Sequence, residues 1–286
     1  MESVSVVIGA SESGAGLERC LSALGPQVDD RVEVMVCQAL PDSNGLRERY
    51  PWARFVDVPG ALVPVLWREG IDRAGGSIVA LTIAQMEPAP DWIATIRSEQ
   101  ERGAALGGAI EPGSHLRISD WAEYFCRYAR DMLPFESREV LDLPGDNASY
   151  RRDLLVQNQD VYRDGFWEPD VHRRLREGGA TCWHSPDLVV HQGRSFGPRA
   201  FIGQRLHHGR AYGHQRGVRF SPARNLVGVL GSPLVPFLMT YRIVAEVTRR
   251  RRLRLRLLAA LPMIFVFNLA WAVAEARGHL DMLLRR

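Results

Sequence analysis

The chain has 286 residues, of which 46% are hydrophobic and 24% charged, so it can build a large folded domain and is neither a disordered protein nor a disulfide scaffold. Its formal net charge of +3 is small, and arginines crowd into residues 249–256, which argues against a nucleic-acid-binding face on the main domain. The four cysteines form no C-x-x-C pair, so neither a zinc ribbon nor a redox motif is indicated. The first eight residues carry no basic stretch and no cleavage site. We therefore expect no secretory signal and a cytoplasmic main domain.

Strand and helix patterns alternate through the first part of the chain. Val4–Ile8 is rich in β-branched residues and holds no charge, glycine or proline, as in a strand buried on both faces of a parallel sheet. Further strands are predicted at residues 32–36, 55–58, 78–83 and 105–110. Apolar residues at helical spacing predict helices at residues 17–24, 66–74, 93–102 and 121–133. This alternation predicts a doubly wound α/β sheet, whose ligands lie beyond the carboxyl ends of the strands.

The C-terminal part has a different character. Residues 225–241 and 257–274 are two mostly apolar stretches without a charge, and the arginine cluster lies between them. If the first stretch crossed a membrane from a cytoplasmic domain, the arginines would lie outside, against the positive-inside tendency. Two interfacial or re-entrant helices, with the arginines on anionic head groups, satisfy both constraints. The alternative is a soluble helical hairpin that packs on a partner.

These patterns predict two regions. A main domain covers residues 1–217, and an apolar helical region with an arginine-rich turn covers residues 218–286. We expect the second region to associate with the cytoplasmic face of a membrane through peripheral, monotopic or re-entrant helices.

Six motifs, taken in order, resemble family 2 glycosyltransferases of the GT-A fold over residues 1 to about 215. They are residues 4–8 with 17–21, the lead-in at 68–76, the Pro-Ala-Pro-Asp-Trp turn at 88–92, the run from Gly145 to Arg152, Arg174-Leu175 with Gly178, and residues 186–191. The resemblance implies a GT-A fold, that is, a doubly wound mixed sheet, here with C-terminal membrane-associated helices.

The resemblance also implies a reaction. Such enzymes move a sugar from a nucleoside diphosphate to an acceptor hydroxyl with inversion, and a carboxylate takes the proton of that hydroxyl. Glu168 matches the position of this base, and Asp170 is its near neighbour. The residues implied on the acceptor side are Trp92, Gly145, Asp146, Asn147 and Trp167. The alternative for Glu168 is a capping role at the start of the following helix.

The donor side departs from the family pattern. The implied contacts to the donor and its phosphates are Ser11, Glu12, Arg68, Gln85, Arg151, Arg152 and Arg205. Where such enzymes carry an aspartate-rich DXD metal site, this chain has Ile83-Ala84-Gln85, which offers no anionic oxygen. Glu87 and His191 are the remaining candidate ligands. We assign no cofactor with certainty and expect any dependence on Mg²⁺ or Mn²⁺ to be weak.

Two hypotheses follow from these features. In the first, the protein is a membrane-associated inverting glycosyltransferase that acts on a lipid-linked or cell-envelope acceptor. In the second, the protein is a non-catalytic relative that keeps the fold as a membrane-docked scaffold or binding protein. The acceptor-side carboxylates and arginines favour the first, and the degenerate metal motif favours the second. Neither includes a nucleic-acid partner.

Overall fold

The computed structural model describes residues 2–11, 14–42, 44–113, 117–193 and 195–284. The described residues form two compact units. The first comprises those within 1–114 and 131–194, and the second comprises those within 115–130 and 195–286. The boundary predicted at residue 217 stays a prediction, and it falls inside one long helix, Pro198–Arg219.

The first unit is a mixed α/β layer structure. Its strands are β1 Val4–Ala10, β2 Val32–Gln38, β3 Ala53–Asp57, β4 Ile78–Ile83, β5 Met86–Pro88, β6 Ala105–Pro112, β7 Arg138–Val140, β8 Asn147–Arg151 and β9 Cys182–Gln192. Its helices are α1 Ala15–Leu24, α2 Leu46–Arg49, α3 Val63–Ile71, α4 Trp92–Glu99, α6 Arg152–Gln157 and α7 Glu168–Glu177. The second unit contains α5 Ile118–Tyr128, α8 Pro198–Arg219, α9 Pro222–Gly231, α10 Val235–Arg250 and α11 Arg254–Leu284.

Within the described residues the nine strands form one sheet, in the order β3-β2-β1-β4-β8-β6-β9-β5, with β7 paired to β9. β3, β2, β1 and β4 run parallel, whereas β8 runs antiparallel to both β4 and β6. All seven residues of β1 and all six of β4 are buried, because helices cover both faces of a parallel sheet. The predicted mixed α/β sheet is confirmed.

Helix α3 lies close against β1 because Gly70 carries no side chain at their contact. A Cβ built on Gly70 would lie 2.2 Å from Cγ1 of Val7. This close approach brings the first half of α3, with Trp67, over the carboxyl end of β1, where Gly9 lies against the Trp67 ring.

The second unit is helical, and its helices pack around α11. α5, α8, α9 and α10 all contact α11. Glycines allow α8 to approach α11 closely: a Cβ on Gly213 would lie 2.2 Å from the carbonyl oxygen of Glu275. Small residues at such contacts permit backbone-to-backbone packing between helices.

Gly213→Ala should therefore destabilise the helical unit, because the new methyl group meets backbone rather than a flexible side chain. Overpacking of this kind costs about 1–3 kcal/mol. We expect faster hydrogen–deuterium exchange in α8 and α11 of the full-length protein. Gly203→Ala, in the same helix, is the matched control, because a Cβ there meets nothing within 4 Å. Equal exchange in the two variants would contradict this packing.

Candidate active site

Glu168 is the first residue of α7, and its carboxylate lies against Gly145. A Cβ built on Gly145 would lie 2.6 Å from Oε1 of Glu168 and 2.7 Å from the ring of Trp67. A side chain at position 145 would therefore push Glu168 or Trp67 away. The residue before the helix, Trp167, makes no side-chain cap. Glu168 lies in the first turn of the helix, and a negative charge at this position is stabilised by the helix dipole.

Trp67 connects this carboxylate to the end of β4. Its Nε1 donates a hydrogen bond of 2.8 Å to the carbonyl oxygen of Thr82, and the Thr82 hydroxyl donates one of 3.0 Å to the carbonyl oxygen of Asp146. Gly145, Asp146 and Glu168 thus meet at the carboxyl end of β4, beside Ile83. In doubly wound sheets this is the edge where ligands bind. The sequence analysis did not identify Trp67, whose only signal was an apolar position in a predicted helix.

A buried histidine supports α7 one turn after Glu168. His172 is fully buried, its Nδ1 accepts a hydrogen bond of 3.4 Å from the amide of Leu143, and its Nε2 lies 2.9 Å from the hydroxyl of Tyr150. With Nδ1 as acceptor, Nε2 carries the proton and donates to Tyr150. Burial raises the pKa of Tyr150 well above its ordinary value, and the negative charge of Glu168 raises it further. Tyr150 therefore stays neutral and α7 is held in place.

The three residues at the end of β4 supply no carboxylate for a hard cation. Ile83, Ala84 and Gln85 are almost completely buried, and none supplies a carboxylate. Glu87 is held by an ion pair of 2.5 Å to Arg19. His191 faces Glu87 in the register of β5 and β9 and is exposed. Over the described ranges no three His, Cys, Asp or Glu side chains gather as a metal site, so these residues do not fit Mg²⁺ or Mn²⁺, which need oxygen ligands.

The other residues implied at the donor side lie in different places. Ser11 follows β1 directly and is half-buried, while Glu12 lies outside the described residues. Arg68, on α3, contacts the carboxylates of Glu69 and Asp72 on its own helix. Ser11, Arg68 and Gln85 follow or flank the strands that end at the candidate site.

Arg151 and Arg152 lie at the opposite edge of the sheet. β8 runs antiparallel to β4, so Arg151 pairs with Ile78 at the start of β4, and the amide of Arg152 donates to Ser77 O. The length of β4 separates them from Gln85, which is roughly 20 Å at the rise of a strand. The structure does not bring these arginines together with Gln85 or Glu168.

Arg205 lies in the interior of the helical unit. It is 9% exposed, its Nη2 donates to Oδ1 of Asn268 at 3.0 Å, and its guanidinium lies 4.7 Å from the centre of the Trp271 ring. Burial lowers the pKa of this guanidinium. These contacts make Arg205 part of the packing between α8 and α11.

Two residues implied on the acceptor side are part of the sheet core. Trp92 and Asn147 are fully buried, and Nε1 of Trp92 donates to Oδ1 of Asn147 at 2.8 Å. The amide nitrogen of Asn147 donates to the carbonyl oxygens of Ala109 and Leu188, both at 2.9 Å. Asn147 thus links β6, β9 and α4.

Three more residues around α7 and the motif are better exposed. Asp146 and Trp167 are half-buried. Asp170 is also half-buried, and its carboxylate lies 3.5 Å from Arg173.

A set of polar side chains lies at the end of β2. Nε2 of Gln38 donates to Asp57 at 2.7 Å, and Arg47 bonds the same carboxylate. Arg47 and Gln38 hold the pKa of Asp57 below its ordinary value. Asp42 accepts hydrogen bonds from the backbone amides of Asn44 and Arg47, so it shapes the loop after β2.

Comparison with known proteins identifies the fold. No protein-family model matches the sequence, and no curated protein matches it. Among solved structures, the chain is similar to the mannosyltransferase PcManGT from Pyrobaculum calidifontis in complex with GDP-Man and Mn²⁺. The TM-score is 0.59 and the identity 17%, over 98% of this chain and 87% of that one.

A second similar structure is GalNAc-T7 with UDP, GalNAc and Mn²⁺. Its TM-score is 0.51 and its identity 12%, over 67% of this chain and 44% of that one, so this chain spans less than half of that protein. At these identities the likeness concerns the fold. Both neighbours are glycosyltransferases of the GT-A fold, and the expected fold class is confirmed. Membership of family 2 stays a prediction. The chain thus has the fold of the nucleotide-sugar glycosyltransferases.

Proposed function

We propose that the protein is an inverting glycosyltransferase that moves a sugar from a nucleoside diphosphate to a hydroxyl of a lipid-linked or cell-envelope acceptor, with Glu168 as general base. The observation that carries the proposal is the position of the Glu168 carboxylate, which lies against Gly145 and Trp67 at the end of β4. A donor bound at that edge of the sheet presents its anomeric carbon near this carboxylate.

The chemistry follows from that position. The acceptor oxygen attacks the anomeric carbon while the bond from that carbon to the diphosphate oxygen breaks on the opposite face, and Glu168 takes the hydroxyl proton. The products are the inverted glycoside and the free nucleoside diphosphate. Glu168 lies in the first turn of α7, where the helix dipole favours the carboxylate form that accepts a proton.

The leaving diphosphate must be stabilised by groups that this chain supplies. Mn²⁺ is bound in both neighbours, but Ile83, Ala84 and Gln85 do not fit such an ion. We assign the diphosphate charge to backbone amides at the ends of β1 and β4 and to Arg68, since pre-oriented donors stabilise developing charge. Ser11 and Gln85 complete the donor side.

The C-terminal helices support an acceptor at a membrane. Two described segments, residues 222–250 and 254–284, are long and apolar enough to cross a bilayer, and only 11% of the most apolar part of the first is buried. Phe237 and Tyr241 are 63% and 70% exposed on α10. A lipid-linked acceptor on the cytoplasmic face of a membrane would reach the protein there.

A second candidate function is a membrane-docked scaffold without catalysis. The observation that favours it is the ion pair of Glu87 with Arg19, which engages the acid of β5, the strand that follows β4. In such a protein the donor edge would bind no nucleotide, and Glu168 would serve only the start of α7.

Glu168→Gln should lower sugar transfer by at least about 100-fold, because a general base contributes on the order of 10²–10⁴ in rate. Nucleoside diphosphate binding, measured by titration calorimetry with a panel of nucleotides, should stay within about threefold, since the amide fills the same space.

Glu177→Gln is the matched control, because Glu177 lies on the same helix and pairs with Arg173 at the surface. The scaffold function would be supported instead if no nucleotide binds the wild-type protein. Wild-type transfer by Glu168→Gln would remove Glu168 from the mechanism.

Chelation should leave transfer within about twofold of its rate with added Mn²⁺, because Ile83, Ala84 and Gln85 supply no carboxylate and no three acidic, histidine or cysteine side chains gather as a metal site in the described ranges. The measurement is the rate in excess EDTA, with a transferase that requires Mn²⁺ assayed in parallel as a positive control. Activity that EDTA abolishes and Mn²⁺ restores would show that a metal is bound after all.

Replacing Arg249, Arg251 and Arg252 with Gln should weaken the binding of the full-length protein to anionic vesicles. Each arginine contributes on the order of 1 kcal/mol near such a surface, and salt screens this contribution. Arg250 is left in place because it is 5% exposed and bonded inside the unit. Co-sedimentation at low and high salt measures the effect, and the apolar helices should retain part of the binding.

The control carries the same charge change on exposed arginines of the first unit, Arg54, Arg102 and Arg173, and should bind like the wild type. If the wild-type protein stays soluble without detergent and does not bind vesicles, the membrane association in this proposal is wrong. The helices would then pack on a partner protein.

A further inference from the structure

The second unit holds a cavity whose lining is both cationic and apolar. It has a volume of about 470 Å³ and lies between α5 and α10. One side is apolar, formed by Phe125, Met239 and Ile243, and three guanidinium groups, of Arg127, Arg130 and Arg242, line the rest.

The cavity is framed by a fixed contact between its two helices. Nη2 of Arg250, near the end of α10, donates a hydrogen bond of 2.6 Å to the carbonyl oxygen of Arg130, just after α5. The side chain of Arg250 is 5% exposed, so this bond lies inside the unit. It holds the ends of α5 and α10 at a set separation.

The positive charge of Arg130 and Arg242 is not neutralised by the one carboxylate in the cavity lining. Glu246 is the acidic residue in the lining, and it is already engaged by Arg249 at 2.6 Å and Arg250 at 3.7 Å. Among the residues that the structure describes, neither Arg130 nor Arg242 has a carboxylate partner within 4.0 Å. Exposed arginines without partners suit an anion, and the guanidinium matches a phosphate with two parallel hydrogen bonds.

The side chains that neighbour Arg242 on α10 indicate the chemical class of that anion. Met239, Arg242, Ile243 and Glu246 follow each other at helical spacing and form the stripe that lines the cavity. Leu234 and Phe237, one to two turns before Arg242, are 72% and 63% exposed. At a rise of 1.5 Å per residue, Phe237 lies about 7.5 Å from Arg242 along the helix, so one molecule with an anionic group and an apolar chain can contact both side chains.

We propose that this cavity is a binding site for one anionic lipid, with its phosphate on Arg130 and Arg242 and its first chain carbons on Phe125, Met239 and Ile243. Arg127 also lines the cavity, but its guanidinium lies 3.9 Å from the carboxylate of Glu123, so the phosphate is assigned to Arg130 and Arg242 alone. This site differs from the arginine cluster at residues 249–256. The cluster attracts an anionic surface as a whole, whereas the cavity holds a single lipid. It does not depend on sugar transfer, and a failure here leaves the proposed function untouched.

The test uses the full-length protein in detergent micelles, with phosphatidic acid as the probe and binding followed by native mass spectrometry and by titration. The wild type should retain one phosphatidic acid per chain. Arg130→Gln/Arg242→Gln should weaken this binding by at least about tenfold, since two arginines near a lipid phosphate each contribute on the order of a fivefold factor. Arg251→Gln/Arg254→Gln removes the same charge from exposed positions outside the cavity, leaves the ion pair of Arg249 with Glu246 intact, and should bind within about twofold of the wild type.

Two further arms separate the lipid from a free phosphate. Diacylglycerol, which lacks the phosphate, and inorganic phosphate, which lacks the chains, should each bind at least about tenfold more weakly than phosphatidic acid. Met239→Trp fills the apolar side of the cavity. It should weaken the binding of phosphatidic acid and leave the binding of inorganic phosphate unchanged. The proposal fails if the Arg130/Arg242 variant binds like the wild type, if the two double variants lose binding equally, or if inorganic phosphate competes as well as the lipid.

Discussion

The hydrogen bond from Trp67 to the carbonyl oxygen of Thr82 is the contact on which the candidate active site depends. It fixes the indole of α3 across the carboxyl ends of β1 and β4, and the same ring forms the surface against which Gly145 and Glu168 lie. Gly9 and Gly145 are both required, since a Cβ at either position would meet the ring within about 3 Å. Because Phe166 also packs edge-on against Trp67, the chain that leads into α7 is held by the same residue. One aromatic side chain thus sets where the Glu168 carboxylate lies relative to the sheet.

The parallel half of the sheet could be predicted because its strands are buried on both faces. β1 and β4 appear in the sequence as short uninterrupted apolar runs, and burial of every residue in them accounts for that pattern. β5, β7 and β8 gave no such signal. They are three to five residues long and hold polar residues, and they become strands only through pairing with distant parts of the chain.

The run from Gly145 to Arg152 also contains a strand, β8, that forms only through pairing with distant parts of the chain, and this limits what the run indicates in sequence. In sequence it looks like one polar cluster, but residues 147–151 form a strand that runs away from the site. Its first residues therefore lie beside Glu168, and its last residues lie at the other edge of the sheet. Asn147 and Trp92 were expected on the acceptor side, yet both are buried, and the side-chain amide of Asn147 donates to the carbonyl oxygens of Ala109 and Leu188. A buried polar side chain with all its partners is not distinguishable from a binding residue without its neighbours in space.

In the helical unit the sequence alone does not predict which arginine charges are buried and which are available to a ligand. Arg250 belongs to the cluster that suggested a surface for anionic head groups, but it is buried and ties α10 to the end of α5. Arg205 is buried against Trp271, and none of the described carboxylates pairs with it; such a cation stays charged because guanidinium gives up its proton so reluctantly. Arg130 and Arg242 stand apart in sequence and attract no notice there, yet they face one cavity. The charges available to a ligand are therefore set by how the helices pack, and the arginine-rich turn is in part the scaffold that holds that cavity open.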